Sequence, residues 1–193
     1  MWRPIVLSVL LMGGVLAASR FERRSFTVGA DSFLLDGQPF HYVSGSVHYF
    51  KVPAAYWRDR LTRLRASGVS ALQTYVEWSS HQPEEGVTDF SGQQDLVQYV
   101  RLAQELGLLV ILRPGPYIDA ERDLGGLPYW LLRREGIRLR SSDPLYMAAV
   151  TAWYNQLLPR IKPLLYSNGG PVIMVQVRVD ATADLPQLVT CMQ

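Results

Sequence analysis

The spacing of apolar residues changes near residue 41, and this change predicts two kinds of structure. Before it, residues 25–40 alternate in polarity around two turn signals, Gly29-Ala30-Asp31 and Asp36-Gly37. An Asp-Gly pair between apolar residues is typical of a β-hairpin turn. We therefore expect a short antiparallel β-hairpin lead-in that closes one end of a larger fold.

From His41 onward, short apolar runs alternate with segments of helical period. The predicted strands cover residues 42–47, 69–76, 108–112 and 171–177, and the predicted helices cover 56–66, 95–106 and 142–158. The third helix begins with a capping Asp143 followed by proline, and we expect Pro159 and Pro163 to kink or end it. Strands and helices in alternation pair in parallel through right-handed crossovers.

Two architectures have this order of elements, an open doubly wound sheet and part of an eight-stranded barrel. No glycine fingerprint of a dinucleotide site follows the first strand, which counts against the open sheet. The pattern favours the barrel. We predict an α/β fold that is an incomplete TIM (β/α)8 barrel, made of its first four βα units.

Residues 1–19 predict a signal peptide. Arg3 precedes an apolar stretch over residues 5–16, and small residues follow at the spacing of a cleavage site. Because the stretch is too short to cross a bilayer, we favour cleavage over the alternative of an N-terminal membrane anchor. We expect the protein in the secretory pathway, either lysosomal or extracellular. The single cysteine, Cys191, allows no intrachain disulfide.

Charge excludes one class of partner. The formal net charge is +2, and the densest basic run, the arginines at 58, 60, 63 and 65, shares a predicted helix with Asp59. We interpret this run as a solvated helix face, so nucleic acid is not an expected partner. We predict no metal ion and no cofactor.

Candidate chemistry follows the predicted strands. In a βα barrel, reactive groups lie at the carboxyl ends of the strands. Aromatic, histidine and carboxylate side chains follow the first three strands here: His48, Tyr75, Trp78, His81, Tyr117 and Glu121. Flat rings stack on a pyranose and carboxylates accept its hydroxyls, so this mixture indicates a sugar site. The residues alone leave other interpretations open: Tyr75 and Trp78 as core caps, His48 as a structural histidine, and Glu121 as a solvated charge.

Five segments in order carry a resemblance to a known family. They are SGSVHY at 44–49, QTYV at 73–76, LRPGPYI at 112–118, GGLPYWL at 125–131 and NGGPVIMVQV at 168–177. Together they resemble glycoside hydrolase family 35, over residues 25–177. The resemblance implies a TIM barrel, a retaining mechanism and terminal β-linked galactose as the substrate.

The resemblance also implies particular sugar contacts. Tyr75 would contact galactose from the end of the second strand. Ala120 and Glu121 would contact it from the loop after the third strand, with the Glu121 carboxylate accepting sugar hydroxyls. A retaining mechanism further needs two carboxyl groups about 5–5.5 Å apart, a nucleophile and an acid/base.

The family pattern breaks after Val177. The family reads Val-Gln-Val-Glu-Asn-Glu-Tyr-Gly there, and its second glutamate donates the proton, whereas residues 175–182 read VQVRVDAT. Asp180, one methylene shorter than glutamate, is the weak candidate at the acid/base position, and Val179 replaces the asparagine. Arg122 stands where the family has tryptophan, which removes an aromatic surface from the rim.

These breaks predict a divergent tail over residues 178–193 and a nucleophile that would belong to a later strand, outside this chain. We therefore expect a truncated β-galactosidase-type hydrolase without activity. Two alternatives stay open. One is a non-catalytic galactoside-binding module. The other is an interaction fragment that self-associates through open sheet edges.

Overall fold

The computed structural model describes residues 24–176, which form two small sheets and four α-helices. The first sheet is an antiparallel meander of β1 (Phe26–Val28), β2 (Phe33–Leu35) and β3 (Gln38–Phe40). The second is parallel, in the order β4 (Ser44–Ser46), β5 (Ala71–Tyr75), β6 (Leu109–Arg113) and β7 (Val172–Val175). The predicted signal peptide and tail, with Asp180, lie outside the described residues.

The helices are α1 (Trp57–Ala66), α2 (Trp78–His81), α3 (Leu96–Glu105) and α4 (Pro144–Ile161). The α/β alternation and the parallel pairing are confirmed, with bounds that differ by a few residues. The expected end of the last helix near Leu158 is wrong, because α4 continues through Pro159 to Ile161. Leu157 and Ile161 are both buried in the core and hold this last turn in place.

One face of the parallel sheet carries the main hydrophobic core. Leu72, Val110 and Leu112 point to this side and pack with the buried stripes of α1, α3 and α4. Trp57 and Leu61 supply the α1 stripe, at the spacing of one helical turn. The arginines of α1 are exposed, as expected for a solvated face.

The other face is apolar only at the amino ends of its strands. There Ala71, Ile111 and Ile173 form a second, smaller cluster against Phe26 and Leu35 of the meander. The antiparallel lead-in therefore covers the amino end of the parallel sheet and leaves the carboxyl edge of that sheet to other residues.

A hydrogen bond fastens the meander to the chain just before β7. The Tyr166 hydroxyl donates to Asp36 Oδ2 at 2.7 Å, across 130 positions of sequence. This bond lowers the pKa of Asp36, which is the first residue of the predicted Asp-Gly turn. Among the helices of residues 24–176, none combines the length and the apolar composition needed to cross a bilayer.

The cap of α4 offers a test of the fold. Asp143 Oδ1 accepts from the backbone amides of Leu145 at 3.0 Å and Tyr146 at 3.2 Å. Asp143→Ala removes both acceptors, so we expect it to lower the free energy of unfolding by about 1–2 kcal/mol. Asp143→Asn keeps an acceptor oxygen and should lose much less in the same urea titration. Equal losses in the two variants would contradict a capping role.

Candidate active site

Parallel pairing brings the ends of β4, β5 and β6 to one edge of the sheet. Ser46 lies opposite Gln73, and Tyr75 lies opposite Arg113. On the face away from the helices, Ser46 Oγ donates to Gln73 Oε1 at 3.1 Å, and Gln73 Nε2 donates to Gln176 Oε1 at 2.8 Å. This polar row separates the apolar cluster at the amino end from an aromatic and charged group at the carboxyl end.

Tyr75 is the centre of that group. Its half-buried ring stacks on the His48 ring at a centroid distance of 4.5 Å, and His48 stacks in turn on Phe50 at 5.3 Å. Burial and the charge of Lys51 lower the pKa of His48, which keeps its ring neutral in this stack. His48 therefore packs against Tyr75, and a contact of its own with a sugar stays a prediction.

Arg113 was given no role by the sequence, and the structure places it beside Tyr75. Its guanidinium carbon lies 4.8 Å from the centroid of the Tyr75 ring. The residue is only 8% exposed, and its Nε has no hydrogen-bond partner among the described residues. Because a buried charged donor without an acceptor is costly, this atom identifies Arg113 as a further candidate for the site.

The loop after β6 has an unusual backbone. Asp119, Ala120 and Glu121 adopt positive φ angles of 64°, 56° and 50°, a conformation that non-glycine residues rarely occupy. Such strain persists only where surrounding contacts hold it, and it concentrates at functional sites. Two of these three residues, Ala120 and Glu121, are among the predicted sugar contacts.

Glu121 is exposed but paired. Lys51 Nζ donates to Glu121 Oε2 at 2.7 Å, and this bond lowers the pKa of Glu121. The side chain of Glu121 remains 88% exposed, so the ionised carboxylate keeps accepting capacity for a ligand. Its pair with Lys51 is an exposed one and contributes little to stability.

An ion pair between a buried glutamate and an arginine that is 41% exposed holds the same loop against the end of β5. Glu77 is 1% exposed, and its two carboxylate oxygens accept hydrogen bonds from Arg122 Nε and from Ser80 Oγ. The sequence suggested for Arg122 only the loss of an aromatic surface, whereas the structure shows it as the counter-charge of Glu77. The signal that was missed is a glutamate directly after a buried strand.

Trp78 and His81 belong to the core. Trp78 is fully buried between Trp130 and Trp153, with ring centroids 5.8 Å away on each side. His81 Nδ1 donates to the Asp89 carbonyl at 2.8 Å, and its Nε2 accepts from the Tyr49 hydroxyl at 2.6 Å. Burial lowers the pKa of His81 to about 4, so its ring is neutral and structural.

The predicted sugar contacts thus lie at one edge. Tyr75 ends β5, and Ala120 and Glu121 lie in the loop after β6. Asp180 lies beyond the part of the chain that the structure describes, so its relation to them stays a prediction. Within residues 24–176, no three His, Cys, Asp or Glu side chains converge as metal ligands do.

A comparison with known protein families shows which family this chain belongs to. The profile of Glycosyl hydrolases family 35 matches residues 32–182, which is most of the sequence. The chain belongs to this family. The family 35 match includes Tyr75, Ala120 and Glu121 and extends through position 180.

Curated relatives agree with the family assignment. The chain is 56% identical to a β-galactosidase of Homo sapiens over 176 residues, and 55% identical to one of Felis catus over 175 residues. It is also 53% identical to a β-galactosidase-1-like protein of Mus musculus over 165 residues. These alignments cover 90%, 90% and 84% of this chain but only 26% of each relative. The family 35 chain therefore spans about a quarter of the length of these relatives.

Solved structures share the fold at low sequence identity. A GH5_18 protein from Streptomyces cattleya, in complex with GlcNAc, aligns with a TM-score of 0.56 at 15% identity, over 75% of this chain and 35% of its own. An exo-β-1,4-mannosidase from an Opitutaceae bacterium aligns with a TM-score of 0.56 at 17% identity, over 68% and 24%. The described residues thus have the α/β fold with a parallel sheet of TIM-barrel-like glycoside hydrolase domains.

The buried ion pair has a matched surface control. Arg122→Ala leaves the Glu77 carboxylate buried with one acceptor oxygen unpaired, so we expect the free energy of unfolding to fall by about 2 kcal/mol. Arg133 pairs at 3.3 Å with Glu84, and both side chains are well exposed. Arg133→Ala should therefore change the free energy by less than about 0.5 kcal/mol in the same urea titration. Equal effects would show that the Glu77 pair is no stronger than a surface pair.

The buried histidine predicts acid sensitivity. The pKa of His81 is about 4 in the folded chain, against an ordinary value of 6.5. Between these values the unfolded chain binds more protons, so stability rises with pH and is lost as pH falls towards about 4. A shift of this size corresponds to about 3 kcal/mol across the window. Urea unfolding at several pH values should show this slope.

The control for this slope is an exposed histidine. His81→Gln should reduce the dependence of stability on pH between about 4 and about 6.5, with part of the slope remaining because the pKa of His48 is also lowered. Exchange of the exposed His41 for glutamine should leave the slope as in the parent chain. An unchanged slope in His81→Gln would disprove the assignment of the acid sensitivity to this ring.

Proposed function

We propose that this chain supplies the galactose-binding part of a β-galactosidase-type glycoside hydrolase that acts on terminal β-linked galactose in carbohydrate metabolism. The observation that supports the proposal is that Tyr75 and Glu121 lie at the same edge of the parallel sheet. The supported ring of Tyr75 and the ionised carboxylate of Glu121 lie at the carboxyl end of adjacent strands. An apolar ring beside an ionised acceptor is the combination that a pyranose needs.

The roles follow from the surroundings of each group. Tyr75 presents a ring that His48 holds in place. Glu121 would accept hydroxyls, since its carboxylate is 88% exposed. The Arg113 guanidinium lies 4.8 Å from the centre of the Tyr75 ring and places a buried positive charge behind the same edge.

Catalysis makes further demands. A retaining hydrolase uses two carboxyl groups, and the chain offers Asp180 at the acid/base position. Its carboxyl lies one methylene closer to the backbone than that of glutamate, and a misplacement of about 1 Å costs on the order of a hundredfold in rate. We assign none of the carboxylates of residues 24–176 as the nucleophile. We therefore propose an incomplete barrel that binds galactosides without hydrolysing them.

Cellular location and association are part of the proposal. The signal-peptide pattern of residues 1–19 supports entry into the secretory pathway, with a lysosomal or extracellular destination. In residues 24–176, β4 and β7 each pair with a single strand, so each has one open edge. These edges favour self-association as the alternative function. Sedimentation of the chain over a concentration series separates a monomer from an edge-paired assembly.

The central test is titration of the 193-residue chain with methyl β-galactoside, followed by NMR. Glu121→Gln should weaken binding about tenfold, because a hydrogen bond to a charged acceptor contributes roughly 1.5–3 kcal/mol. Glu105→Gln is the matched control, since Glu105 is exposed and forms a 2.7 Å pair with Arg58. Equal effects, or no binding by the parent chain, would contradict the proposal.

Hydrolysis is tested separately with a chromogenic β-galactoside from acid to neutral pH. We expect no turnover above the level of Asp180→Ala, because the proton donor is displaced and no nucleophile is assigned. Turnover by the parent chain that Asp180→Ala abolishes would show that Asp180 is a working acid and that the chain is active.

A further inference from the structure

Two asparagines occur in the chain, and they differ in the residue that follows them. Asn155 precedes a glutamine within α4, whereas Asn168 precedes Gly169 in the turn before β7. In an Asn-Gly pair, the backbone nitrogen of glycine can attack the asparagine carboxamide, because glycine has no side chain to hinder the approach. Asn168 therefore carries the sequence feature of a deamidation site, and Asn155 does not.

The reaction at an Asn-Gly pair consumes one water and releases one ammonia. The Gly169 nitrogen would lose its proton, attack the side-chain amide carbon of Asn168 and displace ammonia, so that a cyclic imide forms. Water then opens the imide at either of its carbonyls and gives aspartate or isoaspartate. Both products carry a carboxylate. Isoaspartate also routes the backbone through the former side chain, which adds a methylene to the main chain.

In the folded turn, hydrogen bonds hold both reacting groups. Asn168 Nδ2 donates to the Lys162 carbonyl at 2.7 Å, and Gly169 N donates to the Tyr166 carbonyl at 3.1 Å. The second bond engages the hydrogen that must leave before the nitrogen can attack. Asn168 and Gly169 are both exposed, so hydrogen bonding rather than burial restrains this pair.

Contacts from distant segments keep the turn closed. Gly169 O accepts from Arg24 Nη1 and from Gln104 Nε2, both at 2.8 Å. Gly170 lies so close to Leu164 that a side-chain carbon added at 170 would come within 2.0 Å of the Leu164 carbonyl oxygen. The turn thus joins the first described residue, α3 and the segment after α4.

Neither product of deamidation fits this packing. A carboxylate at position 168 has no hydrogen to donate to the Lys162 carbonyl, so two acceptors oppose each other. The added methylene of isoaspartate lacks space where the backbones of Gly170 and Leu164 already touch. Directly after the turn, Pro171 O accepts from Val110 N at 2.8 Å and aligns β7 with β6. A lengthened turn therefore displaces the start of β7.

We propose that Asn168 is a deamidation site that the folded turn keeps closed and that opening of the turn exposes. Its co-reactant is water, and its product is a chain whose turn before β7 no longer fits the fold. Because the attacking nitrogen must first lose its proton, the reaction is faster at neutral pH than in acid. The inference goes beyond the proposed galactoside binding and does not depend on it.

The test incubates the 193-residue chain at neutral pH with and without urea, and peptide mass spectrometry measures aspartate and isoaspartate at both asparagines. Asn168 should convert about a hundredfold more slowly in the folded chain, because opening of the turn breaks several hydrogen bonds. In urea, Asn155 should convert much more slowly than Asn168. Equal rates for Asn168 in the two states, or no faster conversion than Asn155 in urea, would overturn the inference.

The contacts that close the turn are tested through α3. Gln104→Ala removes one hydrogen bond to Gly169 O, so it should raise the folded-state rate at Asn168 about fivefold and leave the rate in urea unchanged. Gln98→Ala is the matched control, because Gln98 is also exposed on α3. It should leave both rates as in the parent chain. The same acceleration in both variants would contradict a role for the bond from Gln104.

Asn168→Asp tests the effect of the product without a lengthened backbone. It should lower the urea midpoint of unfolding more than Asn168→Ala does, because alanine removes only the donor whereas aspartate sets two acceptors against each other. An aspartate variant as stable as the parent chain would show that the turn accepts the product, and would overturn the stated consequence of deamidation.

Discussion

Parallel pairing of β4, β5 and β6 is the constraint on which the rest of the structure depends. Since all three strands run in one direction, the segment after each of them must emerge at the same edge. Tyr75 lies opposite Arg113 in this register, and the next segments of the chain carry Glu77 and Glu121. Residues separated by dozens of positions thus meet without any need for sequence proximity. The meander occupies the opposite, amino end and leaves this edge open to a ligand.

The second constraint is the burial of a charge. Glu77 is almost wholly excluded from water, and an unpaired carboxylate there would oppose folding. Arg122, in the loop after β6, supplies the positive charge that pairs with Glu77. The same ion pair therefore holds this loop in place. Positive φ angles at Asp119, Ala120 and Glu121 oppose that arrangement. Arg122 follows these three residues directly, so its ion pair with the buried Glu77 holds the end of the strained segment.

Much of this fold could be predicted from the amino-acid pattern alone. The continuous apolar run at 108–112 predicted a buried strand, and the capping Asp143 predicted the start of α4, because these depend on local composition and capping. The continuation of α4 past Pro159 could not be predicted in this way, since Leu157 and Ile161 hold that turn through contacts with distant residues. Tertiary packing overrode a local signal there.

Individual side chains were harder to predict than elements. Trp78 and Tyr75 are three positions apart and look equivalent in sequence, yet one is fully buried and the other supports the rim. A difference of this kind depends on which face of β5 and α2 each side chain occupies. The role of Arg122 depends on its ion pair with Glu77, which is distant in sequence. That of Arg113 depends on the absence of an acceptor for its Nε among the described residues. No spacing rule within one segment conveys such information.

The arrangement also separates binding from chemistry along the chain. The proposed sugar contacts come from the ends of β5 and β6, whereas the acid/base position at 180 lies after β7. Among the described residues, Tyr75 N and Glu121 Oε2 bond to His48 and Lys51, and this edge is joined to β7 by the pairing of β6 with β7 and by the polar row through Gln73 to Gln176. We therefore expect Asp180→Ala to spare galactoside affinity. A chain with aspartate there retains the binding edge, because the strand register that builds this edge is complete before the acid/base position is reached.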